Sequence, residues 1–163
     1  MVRLENVLES WKSIRRDTAQ TVEDFPQGLD FTPVEGLMTF GDLARHVLNA
    51  GHALTAALIE GEEDLSRPGF RESMKARFPP PPEGAEALAR ELRAVVEADA
   101  AALARQTPEF FAGIITRFDG QRVTRLEMLQ FIKEHELTHR SQMFVYLRLN
   151  GLVPVTTRRR QAK

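Results

Sequence analysis

The chain has 163 residues, 42% of them apolar and 28% charged, which excludes a disordered or fibrous protein and fits one globular domain with a sizeable core. The absence of cysteine excludes disulfides, thiolate zinc sites, iron–sulfur clusters and a cysteine nucleophile, so any metal must rest on nitrogen and oxygen ligands. A net charge of −1 with a pI near 6.4 argues against nucleic acid as a partner, and no apolar run is long enough to cross a membrane.

The opening MVRLENVLESWKSIRR alternates charged and apolar residues and lacks the apolar stretch of a signal peptide, which predicts a cytoplasmic protein. Over residues 2–23, Val2, Leu4, Val7, Leu8, Trp11, Ile14 and Ala19 recur mostly at helical spacing, predicting an amphipathic helix that stops before Phe25-Pro26. The stretch from Pro26 to Met38 has no periodicity and reads as a loop. Thr39 followed by Asp42 resembles a capping box and opens a second helix running to about Ile59, with Gly61 as its stop.

Residues 62–82 are charged and end in four prolines, which read as a stiff spacer. From Glu83 to about Gln106, strong helix formers dominate, with Leu88, Leu92, Val95, Val96 and Leu103 on the apolar side. Between 108 and 123, Ile114, Ile115, Phe118 and Val123 flank the turn dipeptide Asp119-Gly120, predicting a small β-hairpin or an extended crossover. Thr124 with Glu127 is a cleaner capping box, and the fourth helix it starts runs to Asn150-Gly151.

Four long helices with few strands predict an all-α protein, a four-helix bundle with long crossover loops and a possible hairpin before the last helix. It reads as a single domain over residues 1–157 with a basic C-terminal tail at 158–163. From Arg140 to Lys163 there are six Lys or Arg residues and no Asp or Glu, and Arg158, Arg159 and Arg160 read as solvated residues past a helix end.

Two of the four histidines, His135 and His139, stand one helical turn apart, a spacing at which two imidazoles reach one cation. His46 on the second helix, beside Leu43, Val47 and Ala50, is available as a third ligand near the bundle interior. Three imidazoles would leave open positions on a bound zinc, nickel or iron ion, the mark of a catalytic site. His52 lies six residues beyond His46, on a different face, and reads as a non-ligand. The letters HELTH also match the zincin protease pattern, but no Asp, Glu or His follows His139 to complete that site. Glu136 has three open roles: a group supporting the ligands, a base beside the metal, or a solvated helix residue.

The run His135-Glu136-x-x-His139-Arg140-Ser141-Gln142, continued by Val145-Tyr146-Leu147-Arg148-Leu149-Asn150-Gly151, resembles the last helix of the DinB/YfiT-like superfamily. The segment from Phe40 to Val47 is similar to that family's second helix, and His46, His135 and His139 fall on its metal positions. Relatives commonly carry Gly where this chain has Ser141, a change that touches helix packing rather than the ligands. The resemblance implies a four-helix bundle, a divalent ion such as zinc or nickel, and a homodimer. It further implies a metal-dependent transferase or isomerase using a low-molecular-weight thiol such as bacillithiol or mycothiol on a small-molecule substrate. The alternatives are a metal-dependent hydrolase with Glu136 or a neighbour as base, and a non-catalytic stress-response protein whose metal staples two helices together.

Overall fold

The computed structural model describes residues 3–77, 80 and 82–162. In chain order they form α1 (Leu4–Asp24), α2 (Phe40–Ile59), the short α3 (Phe70–Arg77), α4 (Ala85–Ala104) and the single-turn α5 (Pro108–Ala112). Then come β1 (Ile114–Thr116), β2 (Arg122–Thr124), α6 (Arg125–Leu149) and α7 (Val155–Gln161). The predicted bundle is present, with α1, α2, α4 and α6 as its four long members. Residue 2, where the first helix was expected to begin, and residues 79 and 81 of the proline run lie outside the described residues.

Local chemistry sets most of the boundaries. Thr39 caps α2 by accepting from the Asp42 amide at 3.0 Å. Thr124 and Glu127 form a reciprocal capping box on α6, the Glu127 carboxylate accepting from the Thr124 amide at 2.8 Å. β1 and β2 pair antiparallel, Ile115 opposite Val123, around a turn in which Gly120 takes φ 78°. The segment before α3 adds to this hairpin, with the Leu65 amide donating to the Thr116 carbonyl at 2.8 Å.

Two segments depart from the sequence reading. Within the expected spacer, Phe70 and Met74 are buried one helical turn apart, and that pair gives α3 an apolar side in an otherwise charged stretch. At the C-terminus, residues 155–161 form a helix that the sequence reading did not anticipate, although Arg158, Arg159 and Arg160 are exposed as expected. Arg158 pairs with Asp24, and Arg159 donates to Asp17 at 2.7 Å, so α7 is held against α1 by charge.

The packing order explains the long connections. α1 and α2 each pack against both α4 and α6, so consecutive helices α1 and α2 stand diagonally across the bundle. Two apolar clusters fix the directions. One gathers Leu8, Leu58, Leu103 and Leu129; the other gathers Val22, Leu43, Leu88 and Leu147. Early α1 thus meets late α2, late α4 and early α6, which makes α1 and α6 parallel and α2 and α4 antiparallel to them. Diagonal and parallel neighbours cannot be joined by tight turns.

Between the two clusters lies a polar layer. Arg15 of α1 and Glu136 of α6 are 0% and 2% exposed and meet at 2.7 Å. Glu136 also accepts from the Trp11 indole at 2.7 Å and from Thr18 Oγ1 at 3.1 Å. The remaining Arg15 nitrogens reach the Leu92 carbonyl at 3.5 Å and the Val47 carbonyl at 3.4 Å, so one guanidinium touches all four helices. Burial of this charge pair is tolerable because nearly every donor and acceptor finds a partner.

Gly51 of α2 makes room for it, since a Cβ there would lie 2.7 Å from Arg15 Nη2. Gly51→Ala is expected to cost about 1–3 kcal/mol in urea unfolding. The cost should shrink in an Arg15→Lys background, which keeps the charge but removes the obstructing nitrogen; equal costs in both backgrounds would refute the steric account.

Candidate metal centre

α2 and α6 pack side by side, and their contact brings together side chains far apart in sequence. His46 Nε2 lies 3.1 Å from His135 Nε2, and His139 Nε2 lies 3.1 Å from the same atom. The His46 and His139 rings stand nearly perpendicular with centroids 4.8 Å apart. All three histidines are half-buried, and they are the cluster among the described residues that could hold a metal ion. The structure therefore gathers the three histidines singled out from the sequence into one place.

The donor set fits a cation. His139 Nδ1 lies 2.8 Å from the Gln142 amide oxygen, which can only accept, so the tautomer matched to this contact carries its proton on Nδ1 and offers Nε2 as the lone pair. His135 Nε2 then faces two other Nε2 atoms, and a single proton on it can satisfy just one of them. A cation among the three satisfies all. Nitrogens about 2.0–2.1 Å from one ion lie about 2.9 Å apart at right angles and about 3.3 Å apart at the tetrahedral angle, and the observed spacing falls between these.

Burial suits the rings to that task. Desolvation, followed by the charge of His139, holds His46 below its ordinary value of 6.5, and the nearby Lys75 charge adds to the effect. Desolvation and the two neighbouring histidines push His135 down to about 4. Neutral imidazole, the form that binds metal, is thus the resting form at pH 7.

His52 is turned away from the cluster, as expected. Its Nδ1 lies 2.9 Å from the buried Asp99 carboxylate of α4, which raises the His52 pKa. Glu136 is neither beside the histidines' lone pairs nor solvated. Standing about 100° around α6 from His135, it faces α1 and spends its two oxygens on Trp11, Arg15 and Thr18. The reading of Glu136 as a solvated residue is corrected by its 2% exposure.

The cluster opens on a cleft of about 870 Å³ walled by α2, α3, the hairpin and α6. His46 and His135 line it, with Phe131 stacked on His135 at a centroid distance of 6.2 Å. Sequence reasoning missed Gln142, although its position three residues after His139 puts both on one face of α6. It also missed α3, whose contribution to the wall could not be seen while 62–82 read as a spacer.

No curated protein matches the sequence significantly. Among solved structures, a DinB-like protein of Bacillus subtilis is 24% identical, with a TM-score of 0.68, over 90% of this chain and 92% of that one. YfiT from Bacillus subtilis, described as a probable metal-dependent hydrolase with an unusual four-helix bundle topology, is 14% identical with a TM-score of 0.72, covering 93% and 91%. The mycothiol-dependent maleylpyruvate isomerase is 17% identical with a TM-score of 0.62, over 87% of this chain and 61% of that one. These likenesses establish a common fold. The DinB family model matches residues 1–163, and the chain belongs to the DinB family.

Proposed function

We propose that His46, His135 and His139 hold one divalent ion, zinc or nickel, and that the protein is a metal-dependent transferase acting with a low-molecular-weight thiol. The observation that carries this is the convergence of three imidazole nitrogens, two pairs of them at 3.1 Å, at the wall of a cleft large enough for a small molecule. A divalent ion held there supplies Lewis acidity, which lets a thiol bind as its thiolate near neutral pH.

The residues divide the remaining work. Gln142 fixes the His139 ring by taking its Nδ1 proton in a hydrogen bond, and Phe131 flanks His135. The apolar wall of Leu54, Phe70, Met74 and Phe131 excludes water from the substrate's body. No described residue lining the cleft is acidic, and the Glu136 carboxylate is already engaged by three donors. A metal on three imidazoles can activate water without a carboxylate, so hydrolysis is the second reading; the thiol reading is preferred because no described carboxylate lines the cleft to shuttle water's second proton. The fold shared with a mycothiol-dependent isomerase supports it, and the fold shared with a probable metal-dependent hydrolase supports the metal.

A homodimer completes the proposal. Leu137, Val145 and Leu149 are exposed along one side of α6 at helical spacing, an apolar stripe of the kind that a second copy covers. No helix among the described residues is long and apolar enough to cross a membrane, in keeping with the proposed cytoplasmic location.

Four measurements test these points. Purified without a histidine tag, the protein should carry or take up one zinc or nickel per chain by elemental analysis, and conjugate a small thiol to 1-chloro-2,4-dinitrobenzene. His139→Ala should abolish both metal uptake and turnover, and turnover without the metal ligand would refute the assignment. In the metal-free protein, the lowered His46 and His135 values mean that their contribution to stability is full above pH 6.5 and is lost as pH falls towards 4. Melting temperature should decline across that window, and His135→Gln should flatten the decline. Light scattering should give a dimer mass, and Val145→Glu should give a monomer; a wild-type monomer would refute the dimer.

A further inference from the structure

We infer that the cleft beside the histidine cluster selects a carboxylate-bearing molecule with an apolar body, its carboxylate held by Arg71 and Lys75 of α3. This rests on the reading of the histidine cluster as the place of reaction.

The cleft is charged with one sign. Its described lining includes Arg71 and Lys75 but no Asp or Glu, in a chain whose 23 acidic residues outnumber its 22 Lys and Arg. Cations gathered at a low-dielectric cleft focus a positive field and draw anions into it. Both stand on α3, one turn apart, so they lie on the same side of that helix. Arg71, Lys75, His46 and His135 line the same cleft, which places the cationic wall within reach of the histidines.

Arg71 is also oriented. Its guanidinium lies over the Phe118 ring at 5.0 Å, which occupies one flat face and leaves the N–H edge for a planar, two-oxygen acceptor. The rest of the lining is largely apolar, with Ala53, Leu54, Phe70, Met74 and Phe131 contributing. Such a wall favours a singly charged carboxylate over a doubly charged phosphate, whose desolvation costs more. Substrate and wall then match in both parts: a charged end at α3 and an apolar body along α2 and α6.

The test compares 4-phenylbutanoate with its neutral amide, 4-phenylbutanamide, by calorimetric titration of the zinc-free and zinc-loaded protein. The acid is expected to bind about tenfold tighter than the amide in both forms, as two partly shielded charge contacts would give. In the Arg71→Gln, Lys75→Gln double variant, the acid should fall to the level of the amide, while amide affinity and zinc content stay unchanged. Equal binding of acid and amide to the wild type, no binding of the acid at millimolar concentration, or a preference that survives in the double variant would each overturn the inference. So would a phenylalkyl phosphonate of the same length binding tighter than the acid. Failure of the wild type to take up zinc would instead refute the metal reading, and the zinc-free titrations would still decide the role of Arg71 and Lys75.

Discussion

The buried pairing of Arg15 with Glu136 is the interaction on which the arrangement depends. An arginine with no exposed surface must satisfy its donors inside the bundle, and here they reach a carboxylate on α6 and backbone carbonyls on α2 and α4. Each bond constrains a different helix. A one-turn slip of α6 against α1 would strand Glu136 among apolar side chains, and a buried unpaired carboxylate is far costlier than a mismatched leucine. The polar layer therefore fixes the axial register that apolar packing alone leaves loose.

That register bears directly on the histidines. His135 immediately precedes Glu136 and His139 follows it by three residues, so pinning Glu136 to α1 sets the height and rotation of both rings. His46 depends on the same layer from the other side, because Val47 supplies one of the carbonyls that Arg15 contacts. The acid in the His-Glu-x-x-His pattern thus acts in the geometry of the site without facing it. One face of α6 serves the fold, another the histidine cluster, and a third lies exposed with Leu137, Val145 and Leu149.

The bundle and its histidines were legible in the sequence for a physical reason. Long amphipathic periodicity, capping residues such as Thr39 and Thr124, and the Asp119-Gly120 turn are local signals, and a one-turn histidine spacing is local too. The role of Glu136 was not legible because its partners sit more than a hundred positions away. A clue existed in Arg15 itself, a charge placed one turn after Trp11 on the apolar side of α1. α3 escaped because its helical pattern consists of only Phe70 and Met74 among charged neighbours. The α7 arginines escaped because Asp17 and Asp24 are remote acids that no local pattern links to them.

The diagonal placement of α1 and α2 carries a consequence for how the protein is made. His46 and His135 are 89 positions apart, and the α2 to α6 contact forms only after the segment between them has been synthesised. While α1 and α2 emerge, neither has its proper neighbour, since each packs on α4 and α6 rather than on the other. The nascent chain must hold two helices in waiting, with Arg15 still hydrated, until the last long helix arrives. Assembly of the histidine cluster is therefore a late event of biogenesis, coupled to closure of the whole bundle, and no contiguous early fragment can form it in advance.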